Sequence, residues 1–228
     1  MSKTAIVAHS GGMDSSICLA LAIREHGAQN VLAFNVNYGQ RHHQDTAQAA
    51  KICQHFGVDQ FSVAIDFLSK ITTNALMDKN IEICHEPGKS PNTLVLGRNG
   101  LIARLAAIFG DNYGARQLYM GVIEVESSNS GYRDCSRHYM DLTQELLRLD
   151  LDKPDFVIKT PVVFMTKAET MECALDLGIL EYLLENTVTC YRGLPKQGCQ
   201  TCPACQLRNA GIREFLHKNP MFIMPYDL

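Results

Sequence analysis

The hexapeptide at residues 10–15, Ser-Gly-Gly-Met-Asp-Ser, brings small, hydroxyl and acidic side chains together at a point where the chain must turn. Glycine has no Cβ, so an anion can approach the backbone N–H groups closely, and Ser10 and Ser15 add hydroxyl donors. Asp14 could cap the following helix, as could Ser15, or it could help to hold a metal-bound phosphate. No lysine follows the glycines, so the loop lacks the group with which a Walker A motif reaches a γ-phosphate. The hexapeptide therefore predicts an anion-binding turn between a strand and a helix, in preference to a plain capped helix start with a Gly-Gly turn.

Two cations stand at further loops before helices. Arg98, followed by Asn99, opens an apolar helix, and Lys167 opens another helix after a short strand. An arginine can clamp a phosphate or a carboxylate through two parallel hydrogen bonds, whereas a lysine supplies a point charge. Each residue also has an ordinary interpretation, as part of a first helical turn or as a solvated side chain. His9, just before the loop, is interpreted as a packed histidine in preference to a catalytic base.

Four of the nine cysteines have the spacing C-x₈-C-x₂-C-x₂-C near the C-terminus. Short spacers let the sulfurs converge on one ion, and four thiolates favour tetrahedral Zn²⁺. An iron–sulfur cluster is the main alternative, but a ferredoxin-type run needs a further cysteine where Asn209 stands. The sequence therefore predicts one structural zinc ion, held by Cys190, Cys199, Cys202 and Cys205. The other cysteines are scattered among apolar neighbours, which fits a reducing cytoplasm better than a disulfide framework.

The elements that must position these groups alternate between strands and helices. Apolar runs predict five strands, at residues 4–8, 31–36, 61–65, 117–122 and 156–158. This alternation is typical of an α/β fold with a doubly wound parallel five-stranded sheet. Ligands of such sheets bind at the carboxyl ends of the strands, where both the loop at residues 10–15 and the segment Tyr38–His42 are expected.

Helical spacing and capping signals predict helices at residues 16–23, 44–56, 67–77, 101–109, 139–149 and 207–216. Thr166 and Glu169 form a capping-box pattern before one more helix. The segment from Glu124 to Asp134 is expected to be a polar loop. We expect residues 1–180 to form the α/β domain that carries the loop at residues 10–15, and residues 181–228 to form a C-terminal helical zinc-binding region.

Composition limits the classes of function. With 228 residues and 46% hydrophobic content, the chain fits one large α/β domain with an appendage. A net charge of −3 without charge runs argues against direct nucleic-acid binding. Cations of the tail are interpreted as a solvated surface: Arg192, Lys196, Arg208, Arg213 and Lys218. No apolar run reaches the roughly 20 residues of a membrane helix, and we expect no signal peptide and a cytoplasmic location.

The motifs, taken together, resemble a known enzyme family. The loop is similar to the S-G-G-x-D-S pyrophosphate loop of the N-type ATP pyrophosphatases. In chain order, S-G-G-x-D-S, Y-G-Q-R-H, G-R-N, S-G-Y-x-D-C, K-A-E and the cysteine tail resemble the 7-cyano-7-deazaguanine synthases over nearly the whole chain. The resemblance implies an adenine nucleotide alpha-hydrolase-like fold, a structural zinc ion and a homodimer. It also implies that 7-carboxy-7-deazaguanine, ammonia and ATP with Mg²⁺ are converted to a nitrile precursor of queuosine, by adenylation, amidation and a second adenylation that allows dehydration.

The resemblance also assigns roles to residues. It implies ATP contacts from the loop and its flanks: His9, Ser10, Gly11, Gly12, Met13, Asp14, Ser15 and Ser16. It implies catalytic roles for Asp14, Arg98 and Lys167. Substrate contacts are implied for residues of two later loops: Tyr38, Gln40, Arg41, His42, Ser130, Gly131, Tyr132 and Asp134. No protein nucleophile is needed, because the substrate carboxylate attacks ATP.

The chain departs from the family pattern at four positions. Leu96 and Arg133 replace prolines, Ser128 replaces an aspartate and Ser136 replaces an arginine. Glu124 or Glu126 could supply the lost carboxylate. Two alternatives therefore stand: a paralogous adenylating ligase acting on a related deazapurine or on tRNA, and a non-enzymatic zinc-ribbon binding module. The intact loop at residues 10–15 counts against the module.

Overall fold

The computed structural model describes residues 2–39, 44–78, 80–84, 90–127 and 131–227. Its strands are Ala5–Ala8 (β1), Val31–Asn37 (β2), Asp59–Ala64 (β3), Gln117–Met120 (β4) and Val157–Lys159 (β5). Its helices are Met13–His26 (α1), Gln44–Phe56 (α2), Leu68–Ile71 (α3), Arg98–Asp111 (α4), Glu124–Ser127 (α5), Arg137–Leu151 (α6), Lys167–Asp176 (α7), Leu180–Asn186 (α8) and Pro203–Lys218 (α9).

All strand pairs of the sheet are parallel, in the order β3-β2-β1-β4-β5. The predicted doubly wound five-stranded sheet is therefore confirmed. The strand order reverses direction between β1 and β4, because the chain first winds outward to β3 and then returns to the other side of β1. A crevice outside the carboxyl ends of the strands forms at such a switch point, so the ends of β1 and β4 mark the expected ligand site.

Helices cover both faces of the sheet, which explains why β1 is apolar along its whole length and β2 is apolar except for Asn35 and Asn37. One face packs against α1, α2 and α7–α9, with Val7 of β1 and Ile17 of α1 in its core. The other face packs against α4 and α6, with Ile6 of β1 and Ala103 of α4 in its core. Alternate residues of β1 thus enter opposite layers, as the two-residue period of a strand requires.

The predicted helix at residues 67–77 is wrong beyond its first turn. It ends at Ile71, because Thr72 is extended, with φ −141° and ψ 144°. The Asn74 side chain accepts a hydrogen bond from the backbone N–H of Leu76, at 3.0 Å. β-Branched threonines favour helix weakly, and an asparagine amide that bonds its own backbone competes with helical hydrogen bonding.

The segment from Glu124 to Asp134 is not purely a loop. It contains the single helical turn α5 and a 3-10 turn at Arg133–Cys135. The last helix starts earlier than expected, at Pro203 with Cys202 as N-cap. Proline lacks an N–H and has a fixed φ, so it fits the first helical position. The capping box of Thr166 and Glu169 at α7 is confirmed.

Helix α9 shares the core of the α/β layer, since Ile212 and Phe215 are buried against α1, α7 and α8 residues. The division at residue 180 stays a prediction. Within the described residues, none of the helices has the length and apolar character that crossing a bilayer requires.

Candidate functional site

The loop after β1 is held by serine hydroxyls. Ser15 and Ser16 donate to the Gly12 carbonyl, at 3.0 Å and 2.8 Å, and the Ser10 backbone N–H donates to the Ser15 hydroxyl. Gly11 has a φ of 85°, a region that favours glycine. The N-cap of α1 is Gly12, with no side-chain cap, so the expectation that Asp14 or Ser15 caps this helix was wrong. The first turn of α1 is left without a capping side chain, which suits it to bind an anion.

His9, just before this loop, contacts α1 and α2 through its two ring nitrogens. Its Nε2 lies 3.0 Å from the Ser16 hydroxyl and its Nδ1 lies 3.4 Å from the Cys53 sulfur. Burial lowers the pKa of His9 to about 4, so the imidazole is neutral. His9 and Ser16 have no exposed surface. Both residues therefore position the loop, and the direct ATP contacts that the resemblance implies for them stay a prediction.

Gly121, directly after β4, lets the sheet approach the loop closely. A Cβ at this position would lie 2.7 Å from the Ser15 amide nitrogen and 2.9 Å from the carbonyl carbon of Asp14. Only glycine fits against this backbone without a shift. Sequence reasoning missed Gly121, although a glycine at the end of the fourth strand was the available signal.

Asp14 and Lys167 form an ion pair between α1 and α7. The Lys167 Nζ lies 2.5 Å from Oδ2 of Asp14, and the two side chains are 12% and 24% exposed. The other oxygen, Oδ1 of Asp14, is buried and has no hydrogen-bond partner in the described part of the chain. A buried carboxylate oxygen without a donor is costly, and a hard cation is its natural ligand. Asp14 is thus a suitable ligand for a hard divalent cation.

Arg98 begins α4 on the opposite side of the loop. Its Nη1 donates to the Tyr38 hydroxyl at 3.1 Å, and its guanidinium lies 5.5 Å from the centre of the Tyr38 ring. The pKa of Arg98 is raised mainly by Tyr38 and to a smaller extent by Asp134, and these effects outweigh burial, which lowers it. Asp134 is buried, and its Oδ2 accepts from the backbone N–H of Asn99 at 2.9 Å. One oxygen of Asp134 is therefore used to hold the first turn of α4.

A tyrosine pair extends this side of the site. Tyr132 shares a 2.5 Å hydrogen bond with the Thr93 hydroxyl and lies 3.5 Å, oxygen to oxygen, from Tyr191. Burial is the main cause that raises the pKa of Tyr191, and the neighbouring Tyr132 adds to it, so this phenol stays protonated. Gly131 has a φ of 97° and abuts Pro91. Sequence reasoning missed Tyr191, which lies beside the first cysteine of the tail and had no signal of its own.

A cleft of about 330 Å³ lies at the carboxyl ends of β1, β2 and β4. Asp14, Arg98, Lys167 and Tyr38 all contribute to its wall. Asn35 of β2 also lines the cleft. It is 3% exposed, and its Oδ1 has no partner among the described residues. The cleft thus combines three cations, Arg98, Lys167 and Arg208, with two buried acceptors that have no partner among the described residues.

Several expected substrate contacts lie outside the described residues: Gln40, Arg41, His42 and Ser130. Ser128, one of the departures from the family pattern, lies outside them too. Glu124 accepts at 2.6 Å from the Arg137 backbone N–H, and Ser136 is the N-cap of α6. One oxygen of Glu124 is therefore engaged in capping α6. Leu96 is 86% exposed, so this departure from the family pattern is on the surface.

The four tail cysteines converge as predicted. Their sulfurs all lie within 4.8 Å of one another, and three of the four residues are buried: Cys190, Cys202 and Cys205. Tetrahedral Zn–S bonds of 2.3 Å place sulfurs about 3.8 Å apart, and the sulfurs of Cys199 and Cys205 are 4.0 Å apart. Hydrogen bonds from Cys202 and Cys205 lower the pKa of Cys190, whereas hydrogen bonds with Cys190 and Cys202 raise the pKa of Cys205. A four-iron cluster spreads its thiolates over separate iron atoms and needs wider spacing, so a single ion fits this site better.

Comparison with known proteins places the chain in context. A family model described as "Queuosine biosynthesis protein QueC" matches residues 4–216. The NMN synthetase from Francisella tularensis has 14% identity and a TM-score of 0.49, over 99% of this chain and 90% of that chain. The U34-tRNA thiolase NcsA from Methanococcus maripaludis, with its [4Fe-4S] cluster, has 19% identity and a TM-score of 0.49, over 96% of this chain and 66% of that chain. These two structural likenesses are weak and carry no argument about chemistry.

Proposed function

The chain belongs to the queuosine biosynthesis protein QueC family, and we propose that it converts 7-carboxy-7-deazaguanine and ammonia to 7-cyano-7-deazaguanine. A role in queuosine biosynthesis follows from the family. The specific reaction is our proposal, as is the cleavage of ATP to AMP and pyrophosphate. It is supported by the order of motifs along the chain and by the chemistry of the cleft.

One observation carries the proposal: the first turn of α1 has no capping side chain, and the unpartnered Oδ1 of Asp14 lies beside it with Lys167 on the adjacent oxygen. Backbone N–H groups at this turn bind the β- and γ-phosphates as pyrophosphate leaves. Asp14 would hold the cation that accompanies ATP, and that cation would neutralise charge on the leaving pyrophosphate. Lys167 places a further positive charge at the same point.

The first half of the reaction joins the substrate to AMP. A carboxylate oxygen of the substrate attacks the α-phosphorus, and the bond from that phosphorus to the bridging oxygen breaks. Pyrophosphate leaves with the bonding electrons, and an acyl-adenylate remains. Ammonia then attacks the acyl carbon, AMP departs and a proton passes to solvent, which leaves an amide. Arg98, held by Tyr38, is the cation available on the opposite wall of the cleft.

The second half repeats the adenylation on the amide oxygen. Loss of the N–H protons and cleavage of the C–O bond release a second AMP and leave the nitrile. All of these steps use oxygen and nitrogen atoms of the substrates, so no side chain becomes covalently modified. Asn35 presents a buried acceptor that suits an amino group of a purine ring, since an amide oxygen accepts from an exocyclic N–H.

We assign the zinc ion a structural role. Four cysteine ligands fill a tetrahedral site and leave no position for a substrate. The resemblance also supports a homodimer, and light scattering on the purified protein tests that assignment. A monomer at micromolar concentration would contradict it.

The reaction is tested with purified protein, ATP, Mg²⁺, ammonium and 7-carboxy-7-deazaguanine. Mass spectrometry should detect the nitrile, and chromatography should find AMP and pyrophosphate. ADP as the main nucleotide product would refute the proposal. An active zinc-loaded protein that adenylates only a related deazapurine would assign the chain to a paralogous ligase.

A further inference from the structure

Arg208 is a buried cation that the proposed reaction does not use. The sequence predicted a solvated side chain, and this was wrong, because Arg208 is only 4% exposed. A guanidinium remains charged at all physiological pH values. Burying it is costly unless an anion and a set of hydrogen-bond acceptors compensate.

The acceptors of Arg208 are neutral. Its Nη2 donates to the Gln197 carbonyl at 2.7 Å, and its Nη2 and Nε donate to the Asn209 amide oxygen at 2.9 Å and 3.1 Å. No carboxylate pairs with Arg208 among the residues that the structure describes. Its Nη1 has no hydrogen bond to any of those residues. The bonds from Nε and Nη2 fix the plane of the guanidinium and leave Nη1 for another acceptor.

Arg208 lies on the face of α9 that borders the cleft. Ala204 and Arg208, one turn apart, both line it. Gly211 continues that face, and a Cβ there would lie 2.3 Å from the Lys167 Cβ, which brings α9 against the start of α7. Arg208 is therefore one helical turn from the contact with Lys167, in the cleft that Asp14 also lines.

The cysteine site is the other source of negative charge nearby. A Cβ at Gly198 would lie 2.5 Å from the Cys205 sulfur and 3.5 Å from Nη2 of Arg208, so the cation is close to the cluster. However, no hydrogen bond joins Arg208 to a sulfur of the four cysteines. The guanidinium is adjacent to this cluster and also lines the cleft, so a ligand in the cleft can supply an acceptor for Nη1.

We propose that Arg208 binds an oxyanion of a ligand in the cleft through Nη1. This inference rests on the proposed function, which supplies two such oxyanions: a phosphate group of ATP and the carboxylate of the deazapurine. A carboxylate presents two coplanar oxygens and a phosphate presents oxygens in a tetrahedral arrangement. A guanidinium of fixed orientation can donate hydrogen bonds to either group. Arg208 would thus be a substrate-binding residue contributed by the zinc-bearing segment.

The test compares Arg208→Gln and Arg208→Lys with Arg213→Gln, an exposed arginine of the same helix. Calorimetry measures the dissociation constants of ATP, pyrophosphate, 7-carboxy-7-deazaguanine and the corresponding neutral amide. Zinc content and thermal melting are measured on each variant. Loss of a charged hydrogen bond is expected to weaken binding of one anion by about tenfold or more in Arg208→Gln. Arg208→Lys should be intermediate, and Arg213→Gln should match the unaltered protein.

The pattern of losses identifies the source of the oxyanion. Weaker ATP and pyrophosphate binding assigns Arg208 to a phosphate. Weaker binding of the carboxylic acid, with the neutral amide unaffected, assigns it to the carboxylate. Unchanged dissociation constants for all four ligands would overturn the proposal, as would zinc loss with unchanged ligand binding. If Arg208→Gln is insoluble, Arg208→Lys with unaltered affinities overturns it. An unaltered protein that binds ATP and makes no nitrile contradicts the proposed reaction, and the ATP measurements still decide the role of Arg208.

Discussion

Replacing Gly121 with alanine tests whether the end of β4 sets the geometry of the loop at residues 10–15. The added Cβ would lie 2.7 Å from the Ser15 nitrogen, which is closer by about 0.7 Å than the 3.4 Å at which ordinary contact begins. The atoms it meets are backbone atoms of the first turn of α1, so no flexible side chain can move away. The turn itself must shift.

The size of the effect follows from that displacement. Overpacking of this kind costs about 1–3 kcal/mol of stability. A misplacement of about 1 Å at a catalytic site can cost about 100-fold in rate, so a shift of about 0.7 Å is expected to lower kcat/KM for ATP by roughly 10- to 100-fold.

The matched control is Gly110→Ala in α4. Its Cβ would lie 3.2 Å from the Ile6 side chain and would touch no atom of the loop. Urea unfolding and steady-state pyrophosphate release are measured on both variants. We expect Gly121→Ala to lose stability and ATP turnover, and Gly110→Ala to keep ATP turnover. Equal turnover in the two variants would refute the reasoning that β4 positions the loop.

Three further changes address separate parts of the account. Burial lowers the pKa of His9 to about 4, so the unfolded chain binds a proton at a higher pH than the folded chain does. The free energy of unfolding should therefore fall as the pH drops from about 6.5 to about 4, by a total that approaches about 3 kcal/mol. Urea titrations should show a flatter dependence of stability on pH in His9→Asn. Asp14→Asn should keep a similar melting temperature while pyrophosphate release falls by about 100-fold or more, since a neutral amide holds a cation poorly; normal release would contradict the role of Asp14. Cys202→Ala should lose zinc in elemental analysis together with soluble yield, and a stable, zinc-free, active variant would reject a structural metal site.

The sheet and the ligand edge were predictable because they depend on local patterns. Each buried strand is an apolar run, and the glycines of residues 10–15 follow the first of them. The cysteine site was predictable for a similar reason, since short spacers place sulfurs close together whatever the rest of the fold does. The predicted helix at residues 67–77 was wrong because the Asn74 side chain accepts a hydrogen bond from the backbone N–H of Leu76. Hydrophobic spacing gives no indication of such a bond.

The remaining site residues depend on contacts between distant parts of the chain. Gly121 affects the site because β4 ends against the first turn of α1. Asn35 belongs to the site because β2 ends beside the same cleft. Arg208 is read from the sequence as one of several tail cations, and its burial appears only when α9 packs against α7. Such roles follow from tertiary packing, for which a single sequence carries no spacing signal.

The central claim is that the substrate carboxylate attacks the α-phosphorus of ATP in this cleft. It is tested most directly with 7-carboxy-7-deazaguanine whose carboxylate oxygens are both ¹⁸O, followed by mass spectrometry of AMP, pyrophosphate and the nitrile. The account predicts that the label appears in AMP and that pyrophosphate carries none, because each adenylation transfers a substrate oxygen to the α-phosphate. Label-free AMP from a reaction that consumes the substrate would contradict it.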